Sequence, residues 1–431
     1  MHGLRILTEL PGPKAKQILA REERFVTPSL TRLYPLVAAR AGGVWVWDVD
    51  DNCFLDFTSG LAVNAAGHGH PKIVEAIQAQ ARELVQFSAA DFYHPLYSKL
   101  AERLSRCAPG EGDKKVFLCN SGTEAIEAAI KLARHHTERQ RLIAFHDAFH
   151  GRTIGALALT ASKLWQQRGF GMLLAGVTHI PFSHAGLDFL EQTLFRTNVP
   201  PDEVAAIFFE PIQGEGGCNV PEPGFLPRLR KICDQHGILL VADEIQTGLG
   251  RTGKMFAVEH WGIVPDIICL AKALGGGLPL GAMIARADVM TWSVGAHTST
   301  FGGNPVACAA GLALLDLLET GLVERAAEIG KHLRSGLEEL ANEHSLIGEV
   351  RGLGMMLAIE MVKDRRAHEP AQEERDALLK HAFERGLLLL GGGQSVVRLM
   401  PPLTLDREEA KAGLAVLKEA LAEVEARKEA A

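Results

Sequence analysis

The chain has 431 residues, too many for one small core and suited to a large domain with a smaller one. Hydrophobic residues make up 47% of it and charged residues 23%, the balance of a globular chain rather than a disordered or fibrous one. The net charge of −7, the pI near 6.2 and the lack of a dense Lys/Arg stripe exclude binding of nucleic acid or acidic membranes by bulk electrostatics, so the expected partners are small molecules.

The opening MHGLRILTELPGPKAKQ has too short an apolar run before Glu9 to make a signal peptide, and no apolar stretch reaches the roughly 18 residues of a membrane span. The seven cysteines (Cys53, Cys107, Cys119, Cys218, Cys233, Cys269, Cys308) are scattered and never spaced C-x-x-C. They read as reduced core residues of a cytoplasmic protein with no metal site.

VWVWDVDDNCFLDF, with apolar residues alternating around Asp-Asp-Asn, predicts a β-hairpin near the boundary of a small domain. From about Lys72 to Gly321, helical stretches alternate with the short apolar runs KVFLC (115–119), RLIAF (141–145), VAAIFFE (204–210), ILLVADE (238–244), DIICLA (266–271) and AMIA (282–285). That alternation predicts an α/β domain around a mostly parallel sheet buried on both faces. Beyond Gly321 the pattern changes to helix (322–343), strand (355–362), helix (371–385), strand and a last helix with Leu414, Leu417, Leu421 and Val424 on one stripe, a second, α+β domain.

Three segments carry chemistry where strands end. In CNSGTEAIEAAIKLAR, Ser121, Gly122 and Thr123 open a helix directly after a strand, which suits a phosphate monoester; a plain capping box of Ser121 and Glu124 explains the same residues. In ILLVADEIQTG, Asp243 and Glu244 end a buried strand. A carboxylate there can keep a heterocycle's ring nitrogen protonated, with Gln246 donating to a phenolic oxygen, or it can be an ordinary strand-end acid. Lys272 closes DIICLA before a glycine-rich loop: a lysine drawn into an apolar site becomes a nucleophile for aldehydes, although most such lysines only reach for solvent.

GLGRTG (248–253) matches G-x-G-x-x-G, but DEIQT separates it from its strand, and Met255 stands where a P-loop needs Ser or Thr. Neither nucleotide motif survives. FHGRT offers Phe149 as a plate for a flat ring and Arg152 as a carboxylate fork; FEPIQGEGG brings Glu210 and Glu215, VRLMPPL brings Arg398, and TSTFGGNP places Thr300 before a helix.

In this order, NSGTEA, FHGRT, EPIQGEGG, DEIQTGLGRTG, the Lys272 segment, TSTFGGNP and VRLMPPL resemble the successive signatures of the class III (subgroup II) aminotransferases dependent on pyridoxal 5′-phosphate (PLP), fold type I, over residues 12–425. The resemblance implies a large domain (60–321) with a mostly parallel seven-stranded sheet, and a small α+β domain built from both chain ends (1–59 and 322–431). It makes Lys272 the Schiff-base lysine, Asp243 the pyridinium partner, Gln246 the phenolate contact and Phe149 the stacking ring. Ser121, Gly122 and Thr123 would hold the phosphate, with Thr300 of the partner subunit in a homodimer or a dimer of dimers. Arg398 and Glu215 match the pair that alternates between 2-oxo acid and ω-amine, and Arg152 matches the group for the far carboxylate. SGLAVNAAGHGHP (59–71) resembles the 4-aminobutyrate aminotransferases, in which an aliphatic residue such as Leu61 faces the substrate. The expected reaction is therefore amino transfer from an ω-amino acid to a 2-oxo acid such as 2-oxoglutarate. An amino-acid racemase or epimerase of the same family, or an ornithine or acetylornithine aminotransferase, shares these residues.

Overall fold

The computed structural model describes residues 3–430. The chain divides into two compact units, Pro71–Val323 and Met1–His70 with Glu324–Ala431.

The larger unit is built on a seven-stranded sheet. In chain order its strands are β1 (Lys114–Cys119), β2 (Arg141–Phe145), β3 (Val177–Ile180), β4 (Val204–Phe209), β5 (Leu239–Asp243), β6 (Ile267–Leu270) and β7 (Gly281–Arg286). In space the order is β1-β7-β6-β5-β4-β2-β3. All neighbouring pairs are parallel except the two made by β7, which runs against both β1 and β6. β4, β5 and β6 are buried along their whole length, as continuous runs of Val, Ile, Leu and Phe require in a sheet covered on both faces. Six of the strands are the apolar runs of the sequence. The seventh, β3 (VTHI), was not expected: it lies at the sheet edge, half-buried, with polar residues a central strand would not tolerate.

Helix Gly122–Thr137 covers the sheet with a face of small residues. Ala125, Ala128, Ala129 and Ala133 are buried with Ile126, Ile130 and Leu132 against Leu142, Phe208, Val241 and Cys269 of the strands. Alanine is the strongest helix former and keeps the helix close to the sheet. The run Pro305–Glu343 is long and apolar enough by composition to cross a membrane, which corrects the expectation that no stretch would be. Half of its most apolar window is buried in the fold, and Thr320 and Gly321 interrupt its helical backbone.

In the smaller unit, Trp45–Asp48 and Cys53–Asp56 pair as the expected antiparallel hairpin, and Leu387–Leu388 adds a parallel strand from the other end of the chain. A second antiparallel sheet takes Ile347–Leu353, Met356–Asp364, Val396–Leu399 and Leu390–Gly392 in that order. The two chain ends share one core: Phe383 stacks on Phe54 at 5.4 Å and on Tyr34 at 4.7 Å, and the Tyr34 hydroxyl donates to the Leu389 carbonyl. Residues 60–70 belong to this unit through the Leu403 N–H bonded to Ala65 and the bridge between Gly43 and His68. The final helix buries Leu417, Leu421 and Val424 of the expected stripe, with Leu414 half-buried. All seven cysteines are free, and all but Cys107 are buried.

Candidate active site

The sheet's topology gathers the chemistry on one edge. β1, β2, β4, β5 and β6 run in one direction, so their carboxyl ends share a side. Directly beyond those ends lie Ser121 to Thr123, Phe149 to Arg152, Glu210 to Glu215, Asp243 to Gln246, and Lys272. Ligands of open α/β sheets bind outside this edge.

Ser121 caps helix Gly122–Thr137, its hydroxyl accepting from the Glu124 N–H at 3.3 Å. The Glu124 carboxylate takes the Asn120 N–H at 2.9 Å, so a capping arrangement is present. It leaves the N–H groups of Gly122 and Thr123 with no bond among those described, at the positive end of the helix dipole. A Cβ at Gly122 would come within 2.8 Å of the Ile245 side chain, which would have to shift. At Gly281, where β7 begins, a Cβ would meet the Ser121 carbonyl at 2.6 Å.

Phe149 is held by its backbone, whose N–H donates to Glu210 Oε1 at 2.8 Å. Glu210 Oε2 accepts from the Gly214 N–H at 2.8 Å, so one buried carboxyl fixes both the aromatic loop and the loop carrying Glu215. Glu127 steadies the other side of the Phe149 loop by accepting from the N–H groups of Gly155 (2.9 Å) and Ala156 (3.1 Å). The Arg152 guanidinium lies over the Phe149 ring at 5.5 Å and over the Trp165 ring at 5.0 Å, held between two aromatic faces. Glu215 forms an ion pair with Lys163 at 2.7 Å.

Asp243 is buried at the end of β5. Its Oδ2 accepts from His150 Nδ1 at 2.7 Å and its Oδ1 from the Ile245 N–H at 3.1 Å. His150 is wholly buried; burial alone would lower its pKa, but the bond to Asp243, with the charges of Asp243 and Glu210, leaves it above the ordinary value. Gln246 approaches Gly214 so closely that a Cβ there would overlap its amide, and Gln246 Oε1 is buried without a partner. Lys272 takes a left-handed backbone (φ 43°) as β6 gives way to a short 3₁₀ turn, a conformation that non-glycine residues occupy at some energetic cost.

Glu244, beside Asp243, faces the other way. It accepts from the Thr247 hydroxyl and from the Val258 N–H at 2.9 Å, and so pins the loop that contains GLGRTG. Turns and a 3₁₀ segment, Ala257–Trp261, follow that loop, not the helix a dinucleotide motif opens. Burial pushes the Glu244 carboxyl up to about 7. An unfolded glutamate ionises near 4.5, so between these values the folded chain holds a proton the unfolded chain has lost, and stability falls as pH rises through this window. Glu244→Gln is expected to remove about 3 kcal/mol of that fall. Thermal melts from acid to mildly alkaline pH check this; identical slopes for both proteins would rule it out.

Of the expected substrate residues, Leu61 and Arg398 lie in the smaller unit. Arg398 is buried, its Nε donating to the Gly391 carbonyl at 2.9 Å. Leu61 is 57% exposed, within four consecutive residues of left-handed backbone: Ser59 (φ 49°), Gly60 (60°), Leu61 (68°) and Ala62 (61°). Thr300 is exposed; its carbonyl accepts from Gln86 at 2.7 Å, and its neighbour Ser299 binds Asn120 beside the Ser121 turn.

These residues fit a phosphorylated pyridine. Unbonded N–H groups at a helix start suit the phosphate, a buried carboxylate suits a ring N–H, and the glycines keep the space clear of side chains. Sequence reasoning had passed over His150 and Trp165, and over Lys163 as the partner of Glu215. The only signal for His150 was its place beside Phe149.

Comparison with known proteins points the same way. A family model described as aminotransferase class-III matches residues 27–421. The chain is 39% identical to the 5-aminovalerate aminotransferase DavT of Pseudomonas aeruginosa, over 95% of this chain and 99% of that protein. It is 40% identical to an acetylornithine aminotransferase of Caldanaerobacter subterraneus (94% and 100% covered) and 37% identical to an alanine/serine racemase of Pyrococcus horikoshii (97% and 92%). Several 4-aminobutyrate aminotransferases match at 37–39% identity. Among solved structures, a PLP-bound amine transaminase of an uncultivated Pseudomonas species superposes with a TM-score of 0.85 at 32% identity, covering 93% of this chain and 98% of that one.

Proposed function

Since the chain belongs to the class-III aminotransferases, whose cofactor is PLP, we propose that it moves the amino group of an ω-amino acid of the 4-aminobutyrate type to a 2-oxo acid such as 2-oxoglutarate. The observation that supports the donor class is a pair of cations on the site's loops: Arg152 over the Phe149 and Trp165 rings, and Lys163 on Glu215. In this reading both serve a carboxylate remote from the amine that reacts. The 5-aminovalerate and 4-aminobutyrate aminotransferases among its relatives support the same class.

Bound PLP supplies a carbonyl that condenses with amines and a protonated ring that takes up the electron pair of a broken C–H bond. In this reading Ser121, Gly122 and Thr123 bind the phosphate, Phe149 lies against the ring and Gln246 contacts the phenolic oxygen. Asp243 holds the proton on the ring nitrogen. Lys272 anchors the cofactor and carries the proton from the donor's amine-bearing carbon. Arg398 and Glu215 serve the two substrates in turn, with Leu61 as an apolar wall. Exposed Phe87, Phe92 and Phe301, beside the Gln86–Thr300 bond, support a homodimer in which Thr300 serves the neighbouring site, and we place the protein in the cytoplasm as part of the same proposal.

The test is a screen of the purified holoenzyme with 4-aminobutyrate, 5-aminovalerate, ornithine, N-acetylornithine, lysine and neutral amino acids, with and without 2-oxoglutarate. Glutamate formation from the two ω-amino acids is expected. Racemisation of an α-amino acid without oxo acid, and no glutamate from ω-amines, would replace the proposal with the racemase reading. Replacing Arg152 and Lys163 together by alanine is expected to raise KM for 4-aminobutyrate about 10- to 100-fold, the worth of one charge-assisted contact, with a far smaller loss toward a neutral primary amine. Equal losses for both donors would remove the carboxylate role.

A further inference from the structure

The turn that carries Arg152 is fastened to helix Gly122–Thr137 by side chains that the proposed roles leave unused. Thr153 follows Arg152 and stands at the N-cap of the short helix Ile154–Leu159, yet its hydroxyl makes no capping bond. It donates instead to Glu127 Oε1 at 2.5 Å, and the same oxygen accepts from the N–H groups of Gly155 at 2.9 Å and Ala156 at 3.1 Å, the second and third residues of the short helix. Glu127 thus caps, from a neighbouring helix, a turn whose own N-cap does not. One turn before Glu127 on the same face, the Thr123 hydroxyl lies 2.7 Å from that of Thr153 and accepts from the Thr153 N–H at 3.3 Å. Two glycines allow the approach: a Cβ at Gly151 would overlap the Thr123 hydroxyl, and a Cβ at Gly155 would overlap the Glu127 carboxyl.

We propose that Glu127, Thr153 and Thr123 are positioning residues of the amino-transfer site: they fix the turn that carries Arg152 against the phosphate-binding helix, and so set the affinity for a donor's remote carboxylate. Counting hydrogens gives the direction of each bond. A hydroxyl has one hydrogen, and Thr153 gives its own to Glu127, so in the contact between the two threonines Thr123 is the donor. The Thr123 hydroxyl is thereby spent within the protein, and residue 123 meets a phosphate through its backbone N–H alone. Ser121 differs: among the described bonds its hydroxyl only accepts, from the Glu124 N–H, and its hydrogen remains for the phosphate. Breaking the link frees the turn after Arg152, which weakens binding of donors that carry a carboxylate and leaves the chemistry at the amine as it was.

The inference rests on Arg152 as the group for the remote carboxylate, and the test separates the two. In Thr153→Val holoenzyme, KM for 4-aminobutyrate is expected to rise about 3- to 10-fold, the worth of one hydrogen bond, with kcat and both constants for a neutral primary amine within about twofold of native. Thr153→Ser, which keeps the hydroxyl, is expected to restore the native KM, and Thr153→Val to add nothing in an Arg152→Ala background. Hydrogen exchange of the peptide holding Gly155 and Ala156 is expected to quicken in Glu127→Ala holoenzyme, and native exchange there would refute the cap. The PLP dissociation constant of Thr123→Val is expected to stay within about threefold of native, where loss of a hydroxyl bond to phosphate would cost about 10- to 100-fold; a loss that large overturns the hydrogen count. Equal losses for 4-aminobutyrate and the neutral amine, or effects additive with Arg152→Ala, make the link merely structural and overturn the proposal. If Arg152→Ala itself spares 4-aminobutyrate, the Arg152 reading falls and takes the proposal with it; if Arg152→Ala is selective and Thr153→Val is not, the proposal falls alone.

Discussion

Lys272→Ala is expected to transaminate at least about 10⁴-fold more slowly than the native enzyme, because the proposed function gives one side chain two tasks. In that reading the amine anchors the cofactor and moves the proton whose removal is the hard step, and a positioned base alone contributes about 10²- to 10⁴-fold. The backbone supports the assignment: Lys272 sits in left-handed geometry at the carboxyl end of β6, two strands from the Ser121 turn and next to the strand that ends in Asp243. Alanine removes the amine without adding volume, so the variant is expected to fold and to bind PLP reversibly rather than retain it through dialysis. The check is the rate of glutamate formation with and without an added primary alkylamine. Partial recovery by the amine identifies the missing group as a base, and native rates in the unassisted variant would dismiss Lys272.

Asp243→Asn is expected to lower kcat by about 10²- to 10³-fold, the usual scale for removing one preorganised charge from a water-excluded site. The carboxylate is buried and already accepts from His150 and Ile245, so every group around it is a donor. An amide in its place turns one acceptor into a further donor, facing either the His150 ring or, in the proposed reading, the cofactor nitrogen, where it could not hold a proton. Cofactor affinity is expected to fall with the rate, whereas Asp243→Glu is expected to recover part of both. Single-turnover rates and PLP dissociation constants for the three proteins decide it; an asparagine variant with a native single-turnover rate would show that the ring nitrogen needs no anion.

The parts of the fold legible in the sequence were those where burial leaves little choice of residue. VAAIFFE, ILLVADE and DIICLA form the middle of the sheet and are apolar apart from the acids at their ends, because helices cover both faces. VTHI escaped notice because an edge strand keeps one side near solvent and mixes its residues. The site shows the same division. Ser121, Asp243 and Lys272 each follow their strand at once, so their common edge could be inferred from local pattern. The bonds His150–Asp243 and Lys163–Glu215 join residues 93 and 52 positions apart, and no local pattern encodes such pairs. They depend on which strands become neighbours.

The left-handed stretch from Ser59 to Ala62 bears on how this protein can diversify. Three of its four residues carry a Cβ in a backbone region that costs roughly 1–2 kcal/mol per residue for L-amino acids. Substitutions at Leu61 are therefore sorted by backbone before they are sorted by substrate. Glycine and asparagine relax the turn, while valine, isoleucine and threonine, crowded at Cβ, are shut out whatever their fit to a ligand. A library at this position should yield folded variants from a narrow, turn-compatible set, and a new donor preference that needs a β-branched wall would have to arise at another residue.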